Sequence, residues 1–359
     1  MSRPLVLLLG PSREALGAES THLNALLASP VLTRDFALSH IPAGSAAQVF
    51  ARAASSGAAL VHANIRLEAQ DGGRELARVA AARLAGARVL IQVHGAGLPG
   101  VLARPLARGL ARWTLRQADA IVVPARADAY RTFLPGRRVL EMRQGIECST
   151  YLRHERPPPE PGAPLRLAFV GRLSRDKGVY ELVEAVDRLR ARGIAVRLLL
   201  AGAGSEEEPL RQRVRELALR REVSLVGALD KERKARLLGL ADAFVLPSHR
   251  EGLPYALLEA MAAGAVPLVT PVGAIPEAVS EGVHGLFVPR GDPEAIADAV
   301  AALAADRPAL ARMSAACRAH AAAAFSIERA AAELRALYAS LLNPDVRNRR
   351  LDRRGAQRA

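Results

Sequence analysis

Short apolar runs alternate with segments of helical periodicity along most of the chain. In its first part, four of these runs have the length and composition of buried strands, at residues 5–9, 58–62, 88–93 and 120–123. Runs that are apolar at nearly every position are typical of strands covered on both faces. The pattern therefore predicts a parallel, doubly wound sheet with helices between its strands.

A proline-rich segment, R-H-E-R-P-P-P-E-P-G-A-P, interrupts this alternation at residues 153–164. Because it continues neither a helix nor a central strand, we expect it to be a linker. Between residues 179 and 189 apolar positions recur at helical spacing, and Gly193 ends that helix. The strand-like runs of this second part are at residues 165–170, 196–201, 223–226, 243–246 and 266–270.

The chain is thus predicted to be an α/β protein with two Rossmann-like, doubly wound parallel-sheet domains. Residues 1–152 form the first domain and residues 165–325 the second. We expect a helix at residues 326–342 to return to the first domain, and residues 343–359 to form a basic, disordered tail. Ligands of such sheets bind outside the carboxyl ends of the strands, so two facing domains would enclose a cleft.

The net charge of +14 raises the question of nucleic acid. Only three of the 50 basic residues are lysines, and an aromatic content of 4% supplies few side chains on which bases could stack. No recognisable nucleic-acid motif accompanies the charge. We therefore expect a phosphate-rich ligand or an anionic membrane surface rather than nucleic acid.

The two cysteines, Cys148 and Cys317, stand far apart and in no ligand-spaced cluster. This usage indicates a reducing compartment and no structural metal. No apolar run approaches the roughly 20 residues that cross a bilayer. The expected location is the cytoplasm, and peripheral attachment at the inner face of the cell membrane is an open alternative.

The strongest chemical signal is E-G-L-P-Y-A-L-L-E, residues 251–259. Glu251 falls in a loop, Pro254 suits the first turn of a helix that ends near Gly264, and Glu259 falls inside this apolar helix. A carboxylate there is costly without a polar partner. The helix start favours an anion and the carboxylates accept hydrogen bonds from hydroxyls, so a ligand with phosphate and hydroxyls fits. A solvated Glu251 and an arginine-paired Glu259 are the structural alternative.

A second signal is F-V-G-R-L-S-R-D-K-G, residues 169–178, in which a strand ends at Gly171. Arg172 and Lys177 then occupy the following loop and helix start. Arginine grips phosphate oxygens bidentately and lysine supplies a compact charge, so the pair suits a leaving diphosphate. An ordinary surface lysine is the alternative, although a helix N-terminus disfavours a cation unless an anion joins it.

Together these segments resemble the retaining GT-B glycosyltransferases of family 4, the glycosyl transferases group 1. The resemblance runs in family order from about residue 165 to residue 289, and the joint occurrence of its motifs is far more specific than any one of them. The motifs are G-R-L-S-R-D-K-G (171–178), L-A-G-A-G-S (200–205), V-G-A-L-D (226–230), the paired-glutamate segment (241–264) and T-P-V-G-A-I-P-E (270–277).

The resemblance implies a role for each matching residue. Arg172 and Lys177 would bind the donor diphosphate, Glu251 would bind hydroxyls of the donor sugar, and Glu259 would bind the ribose. Such enzymes generally need no metal or other cofactor, and the chain has no D-x-D motif. The remaining implied donor contacts are Gly171, Gly202, Gly204, Gly252, Leu253 and Pro254.

The first domain resembles the family less closely and should bind the acceptor. A loop beginning at Gly17 resembles the family's glycine-rich loop and implies close approach of that residue to the donor, although Ala18 replaces the usual second glycine. His94 ends a strand where the family often has a histidine facing the transferred sugar, and a hydrogen-bonded core histidine is the alternative. Gln144 and Glu147 depart from the family's N-G-I-D segment, so no role carries over to them.

Gly95, Gly97 and Gly100 form G-x-G-x-x-G after a strand, a pattern that invites a dinucleotide-site interpretation. Such a site expects an acidic residue about 20 positions later, at the end of the next strand. Asp119 has the spacing but precedes its strand, so we reject this interpretation.

Arginines recur every four residues beside Leu106, Leu110 and Trp113 and predict a basic amphipathic helix. Like charges at this spacing repel, and anionic lipid would relieve the repulsion. A solvated helix packed on the sheet is the interpretation that the sequence favours. The arginines are Arg104, Arg108, Arg112 and Arg116.

The resulting prediction is a glycosyltransferase that moves a hexose-type sugar, with retention of configuration, from a nucleotide-diphosphate sugar to a glycan or lipid-linked acceptor. From family habit and the basic surface, we expect the product to be a cell-envelope polysaccharide, such as lipopolysaccharide, or a lipid-linked oligosaccharide. A sugar-nucleotide epimerase or phosphorylase of the same fold, and a catalytically silent nucleotide-sugar-binding protein, are the alternatives.

Overall fold

The protein divides into two compact units, Met1–Gly145 with Ile327–Ala359, and Ile146–Ser326. The computed structural model describes residues 3–14, 18–42, 44–66, 72–94, 103–153 and 162–343.

The first unit contains a six-stranded, wholly parallel sheet with the strand order β2-β1-β3-β4-β5-β6. The four predicted runs correspond to β1, β3, β4 and β5, although β3 continues past the apolar run through polar residues that pair with β4. The edge strands β2 and β6 escaped prediction because β2 is largely half-buried and β6 has only three residues. The strands are β1 Leu5–Gly10, β2 Ala37–Pro42, β3 Leu60–Arg66, β4 Arg88–His94, β5 Ala120–Val123 and β6 Val139–Glu141.

Alternation along β1 separates the core of the first unit into two layers. Leu7 and Leu9 face one helical layer, whereas Val6 and Leu8 face the other. Helices α3, α4 and α5 cover the first face and α1 and α2 lie on the second. The helices are α1 Ala18–Leu27, α2 Pro30–Thr33, α3 Ala46–Ser56, α4 Gly72–Leu84, α5 Pro105–Arg116 and α6 Ala127–Phe133.

The second unit contains another six-stranded parallel sheet, with the order β12-β11-β10-β7-β8-β9. Five of its strands match the predicted runs closely, and the two-residue edge strand β12 is the exception. The strands are β7 Leu165–Val170, β8 Val196–Ala201, β9 Val223–Gly227, β10 Ala243–Leu246, β11 Val266–Val269 and β12 Leu286–Phe287.

Helices surround the second sheet, and a 3-10 turn at Arg175–Lys177 precedes α8. The helix predicted after β7 ends at Ala191, and Gly193 follows with a φ of +72°. The helices are α7 Cys148–Leu152, α8 Val179–Ala191, α9 Glu207–Glu216, α10 Lys231–Leu240, α11 Tyr255–Ala263, α12 Ile275–Ala278, α13 Pro293–Ala305 and α14 Arg307–Ala324.

The last helix, α15 Ile327–Leu342, belongs to the first unit and packs Leu334 and Tyr338 into the layer that contains Leu8. The first unit ends at Gly145 rather than at residue 152, because α7 packs on α10, α11 and α14. Residues 154–161 of the predicted linker and residues 344–359 of the predicted tail lie outside the described residues. Within the described ranges, no helix is both long and apolar enough to cross a bilayer.

An aspartate from an A-D-A segment stands just before a strand in each unit. Asp119 precedes β5 and accepts hydrogen bonds from Val89 N at 2.9 Å and Arg88 Nη1 at 2.9 Å. Asp242 precedes β10 and accepts from Arg166 N at 2.7 Å and Arg166 Nε at 3.0 Å. Both aspartates are buried, and these charge-assisted bonds satisfy them.

Candidate functional site

The loops that follow the carboxyl ends of β7, β8 and β10 are joined by backbone hydrogen bonds. Leu173 N donates to Ala203 O at 3.0 Å, and His249 N donates to Asp176 O at 2.9 Å. These bonds hold the predicted arginine-lysine loop between the glycine-bearing loop and the loop that carries Glu251. These motifs, which are far apart in the sequence, therefore lie together at the carboxyl end of the second sheet.

Close packing of main chain explains two of the predicted donor-binding glycines. A Cβ at Gly202, whose φ is +150°, would lie 1.7 Å from Gly171 O, and a Cβ at Gly204 would lie 2.2 Å from Leu173 O. Backbone carbonyls cannot yield to such contacts, so both positions require glycine. Contact of Gly171, Gly202 and Gly204 with a donor stays a prediction.

Lys177 and Glu251 form an ion pair, with Nζ 2.6 Å from Oε1. Ser248 Oγ donates to the same Oε1 at 2.7 Å. The side chains of the pair are only 17% and 8% exposed, so solvent screens their attraction less than it would a surface pair. Residues that the resemblance assigned to different parts of a donor are thus in direct contact.

The Lys177–Glu251 pair retains hydrogen-bonding capacity. Among the described residues no hydrogen bond reaches Glu251 Oε2, and the ammonium of Lys177 has two protons beyond the one it gives to Oε1. An acceptor such as a phosphate oxygen and a donor such as a sugar hydroxyl could therefore bind side by side.

Glu259 lies on α11, whose residues are nearly all buried, and pairs with a lysine on α10. Lys234 Nζ is 2.6 Å from Glu259 Oε1, and the glutamate side chain is 2% exposed. Burial, followed by the charge of Glu259, raises the pKa of the nearby Tyr151 phenol above its ordinary value. The structural alternative named an arginine partner and was wrong on that point, because the partner is Lys234.

All three lysines of the chain pair with glutamates in the second unit. Lys177 pairs with Glu251 and Lys234 with Glu259, and Lys231 contacts Glu147. The sequence singled out Lys177 alone. The scarcity of lysine in this arginine-rich chain was the signal that could have identified Lys234 as well.

Arg172 follows β7 as predicted, but its side chain is 68% exposed and does not join the Lys177–Glu251 pair. Its Nη2 lies 3.8 Å from Asp176 Oδ2. Burial alone would raise the pKa of Asp176, yet a hydrogen bond from Ser174 and the charges of Lys177 and Arg172 lower the pKa overall. Arg172 is therefore an exposed cation within reach of Asp176, whose lowered pKa favours the ionised carboxylate.

The loop after Glu251 leads into α11 through Gly252, Leu253 and Pro254. Pro254 is the N-cap with an extended conformation rather than a residue of the first turn, because the helix begins one residue later. No side chain caps this helix start. The amides of the first turn and the positive end of the helix dipole are therefore suited to an anion. The predicted end is correct, since Gly264 caps the helix with a φ of +84°.

His94 belongs to the first unit, where it ends β4 in a buried position. Its Nε2 lies 2.9 Å from Asn64 Oδ1, and its ring meets the His22 ring edge-on at 5.7 Å between centroids. This setting matches the core-histidine alternative, and a sugar-facing role stays a prediction. Gly17 lies outside the described residues, and Gln144 is buried.

Two further histidines of the first unit, His22 and His62, escaped the sequence interpretation. Both are buried, and loss of hydration lowers the pKa of each to about 3. His62 Nδ1 lies 2.6 Å from the Tyr338 hydroxyl. Imidazoles with such pKa values are neutral at physiological pH, so these two side chains are buried polar groups without charge.

Asp119, the acidic residue that the rejected dinucleotide interpretation would need, is engaged by other groups. Asp119 precedes β5 and is held by Arg83 Nη1 at 2.8 Å in addition to the bonds described above. Gly95, Gly97 and Gly100 lie outside the described residues. Over the part of the chain that the structure describes, no group of three or more His, Cys, Asp or Glu side chains is arranged to hold a metal ion.

Comparison with known proteins concerns the segment that contains this site. Residues 153–320 match the family described as Glycosyl transferases group 1. The matched segment includes Lys177, Lys234, Glu251 and Glu259. The match therefore lies in the region where the motifs predicted a resemblance to this glycosyltransferase family.

Two curated relatives have glycosyl-transfer names. Glycogen synthase of Mycobacterium tuberculosis is 33% identical over 230 residues, which are 63% of this chain and 55% of the relative. The amylovoran biosynthesis glycosyltransferase AmsK of Erwinia amylovora is 36% identical over 140 residues, 37% of this chain and 34% of the relative. The chain spans about half the length of the first curated relatives it matches.

Solved structures share the fold over nearly the whole chain. HepE of Anabaena, in complex with UDP, superposes with a TM-score of 0.73 at 18% identity over 93% of this chain and 99% of its own. Sucrose-phosphate synthase of Thermosynechococcus elongatus gives 0.77 at 20% identity over 94% and 99%. These likenesses and the two parallel sheets confirm the predicted GT-B fold class.

Proposed function

We propose that the protein is a glycosyltransferase that moves a hexose-type sugar from a nucleotide-diphosphate sugar to a glycan or lipid-linked acceptor with retention of configuration. One observation carries the proposal: the half-buried Lys177–Glu251 pair stands beside the uncapped start of α11, inside the segment that matches the family. The complexes of HepE with UDP and with UDP-glucose support a nucleotide sugar as the donor.

In this proposal the lysine-glutamate pair contacts both parts of the donor, the leaving diphosphate through Lys177 and the sugar through Glu251. Lys177 donates to an oxygen of the diphosphate, where negative charge grows as the bond to the anomeric carbon breaks. Because Glu251 already holds the ammonium in place, little reorganisation is needed when this charge develops. Glu251 Oε2 accepts a hydrogen bond from a hydroxyl of the donor sugar. The exposed Arg172 adds a second cation at the diphosphate.

Glu259 is proposed to accept hydrogen bonds from the ribose. Lys234 pairs with one oxygen of this buried carboxylate, and charge-assisted hydrogen bonds are stronger than those between neutral groups. The acceptor hydroxyl then attacks the anomeric carbon from the side of the leaving group. Its oxygen bonds to that carbon as the bond to the diphosphate breaks, and its proton passes to the departing diphosphate oxygen. No protein nucleophile takes part, and Lys177 and Arg172 replace a metal ion at the diphosphate.

Cell-envelope polysaccharide is the proposed product class, a choice that the name of the relative AmsK supports. An epimerase of the same fold is the enzymatic alternative. Incubation with a nucleotide sugar alone distinguishes the two, because an epimerase produces the isomeric nucleotide sugar without an acceptor.

Titration calorimetry with UDP tests the donor site directly. Wild-type protein should bind UDP, and Lys177→Ala should bind it at least tenfold more weakly, because a charge-assisted bond to phosphate is worth roughly 1.5–3 kcal/mol. The matched control is Arg192→Ala, which removes an ion-paired surface cation of the same unit. Equal affinities of Lys177→Ala and Arg192→Ala for UDP would contradict the proposed diphosphate site.

If UDP fails to bind, the other nucleoside diphosphates are titrated next. Absence of binding to all of them would contradict the proposal as a whole.

A further inference from the structure

Helices α3, α4 and α5 form one outer layer of the first unit, in which α3 packs on α4 and α4 on α5. We call its outward surface the α3–α5 face. Nine large hydrophobic residues are exposed in the described parts of the chain, and five of them lie on this face. The five are Phe50, Leu84, Leu106, Leu110 and Trp113.

Helix α5 is apolar on two separate sides. Ala111 and Leu115 are buried in the core of the first unit. Leu106, Leu110 and Trp113 are spaced at i, i+4 and i+7 and form a stripe on another side of the helix. Their exposed fractions are 86%, 40% and 49%. Packing within this unit accounts for the first side and leaves the second in water.

Arginines lie beside this apolar stripe. Arg108, Arg112 and Arg116 are four residues apart and follow one side of α5. Over their printed ranges α3, α4 and α5 contain seven arginines and a single acidic residue, Glu75, which pairs with Arg78. The α3–α5 face is therefore strongly basic as well as apolar.

We infer that the α3–α5 face docks on the surface of an anionic lipid bilayer. Tryptophan and leucine would enter the boundary between headgroups and acyl chains, and the arginine row would bind lipid phosphates. A solvated helix explains the arginines but not an exposed leucine stripe. A second copy of the chain would cover the stripe but would bring a second arginine row against the first. The inference is independent of glycosyl transfer, because it rests only on the first unit.

The chain contains its own reporter for this test, since Trp113 is its only tryptophan. Fluorescence is recorded with vesicles of phosphatidylcholine alone and of phosphatidylcholine mixed with phosphatidylglycerol. The mixed vesicles should shift the emission to the blue, and brominated lipid in them should quench it. The neutral vesicles should do neither, and added salt should weaken binding because it screens the arginines.

Two variants separate the parts of the surface. Arg108→Gln/Arg112→Gln/Arg116→Gln should weaken vesicle binding by about a hundredfold, since each arginine near an anionic surface contributes roughly fivefold. Its control is Arg220→Gln/Arg221→Gln/Arg236→Gln, which removes the same charge from exposed positions of the second unit. Leu106→Ser/Leu110→Ser should reduce the depth of Trp113 that quenching reports, and both substituted positions are exposed.

Three results would overturn the inference. One is unchanged Trp113 emission with the phosphatidylglycerol vesicles at low ionic strength. Another is equal weakening by the two triple variants, which would mean that only net charge matters. The third is a blue shift that grows with protein concentration without lipid, since a second copy would then cover the stripe.

Discussion

Asp119 in the first unit and Asp242 in the second each lie just before a strand and accept a hydrogen bond from a backbone N–H of a neighbouring strand. The other buried polar groups of the two units carry different chemistry. At the carboxyl end of the second sheet, lysines and glutamates are charged and paired. In the first unit, His22 and His62 are buried and neutral. One scaffold thus provides a charged site in one unit and an uncharged polar cluster in the other.

Of the charged site and the uncharged cluster, only the charged site has the groups that an anion requires. A phosphate needs fixed positive charge and free amides, which the second unit supplies through Lys177 and the start of α11. Neutral imidazoles can exchange hydrogen bonds with hydroxyl groups but offer no charge to a diphosphate.

Removing the cation from the charged site should have the largest effect. Lys177→Ala should lower the transfer rate by about a thousandfold, the upper range for loss of one preorganised charge-stabilising donor. His94→Gln, at the end of β4 in the first unit, should leave UDP affinity unchanged. The comparison fails if His94→Gln weakens UDP binding as much as Lys177→Ala does.

Unpairing the buried glutamate should destabilise the second unit. Lys234→Ala leaves Glu259 without its cation, and breaking a buried pair from one side costs about 3 kcal/mol in free energy of unfolding. Lys234→Ala combined with Glu259→Gln should recover most of the loss, because no uncompensated charge remains. Urea denaturation followed by far-UV circular dichroism measures both, and a double variant no more stable than the single one would contradict the explanation.

Acid should destabilise the first unit through its neutral histidines. Between pH 6.5 and about 3 the unfolded chain binds protons at His22 and His62 that the folded unit does not. Stability is therefore complete above this window and falls as pH decreases, by about 2 kcal/mol per histidine from pH 7 to pH 5.

Urea denaturation followed by Trp113 fluorescence reports on the first unit alone, because this residue is the only tryptophan. His22→Asn should reduce the dependence of the urea midpoint on pH. A wild-type midpoint that is the same at pH 7 and pH 5 would rule out neutral burial of these rings.

Chelation should have the smallest effect. Because Lys177 and Arg172 are proposed to supply the positive charge at the diphosphate, EDTA should leave UDP affinity and transfer unchanged. Loss of UDP binding in EDTA that Mg²⁺ restores would show that the charged site is incomplete without a metal.

The sequence predicted the central strands of both sheets because those strands are buried on both faces and therefore apolar at nearly every position. It did not reveal β2, β6 and β12, since an edge strand can be short or half-exposed and loses that signal. The fold class was therefore recoverable, and so was the edge strand β9, whereas the other three edge strands were not.

The contact between Lys177 and Glu251 could not be predicted in the same way. The residues follow β7 and β10, which are neighbours in the sheet but not in the chain. Lys234 and Glu259 likewise meet only because α10 packs on α11. The sequence identified three of these four residues from motifs, but which side chains touch depends on strand order.

The scarcity of lysine gives the second unit a consequence for chemical labelling. Every ε-amino group of this protein is engaged with a glutamate, and two of the three belong to the candidate site. An amine-acylating reagent followed by mass spectrometry would therefore sample the site with almost no background from other side chains. Protection of Lys177 by a bound nucleotide, measured against Lys231 in the same digest, would map occupancy in a single experiment.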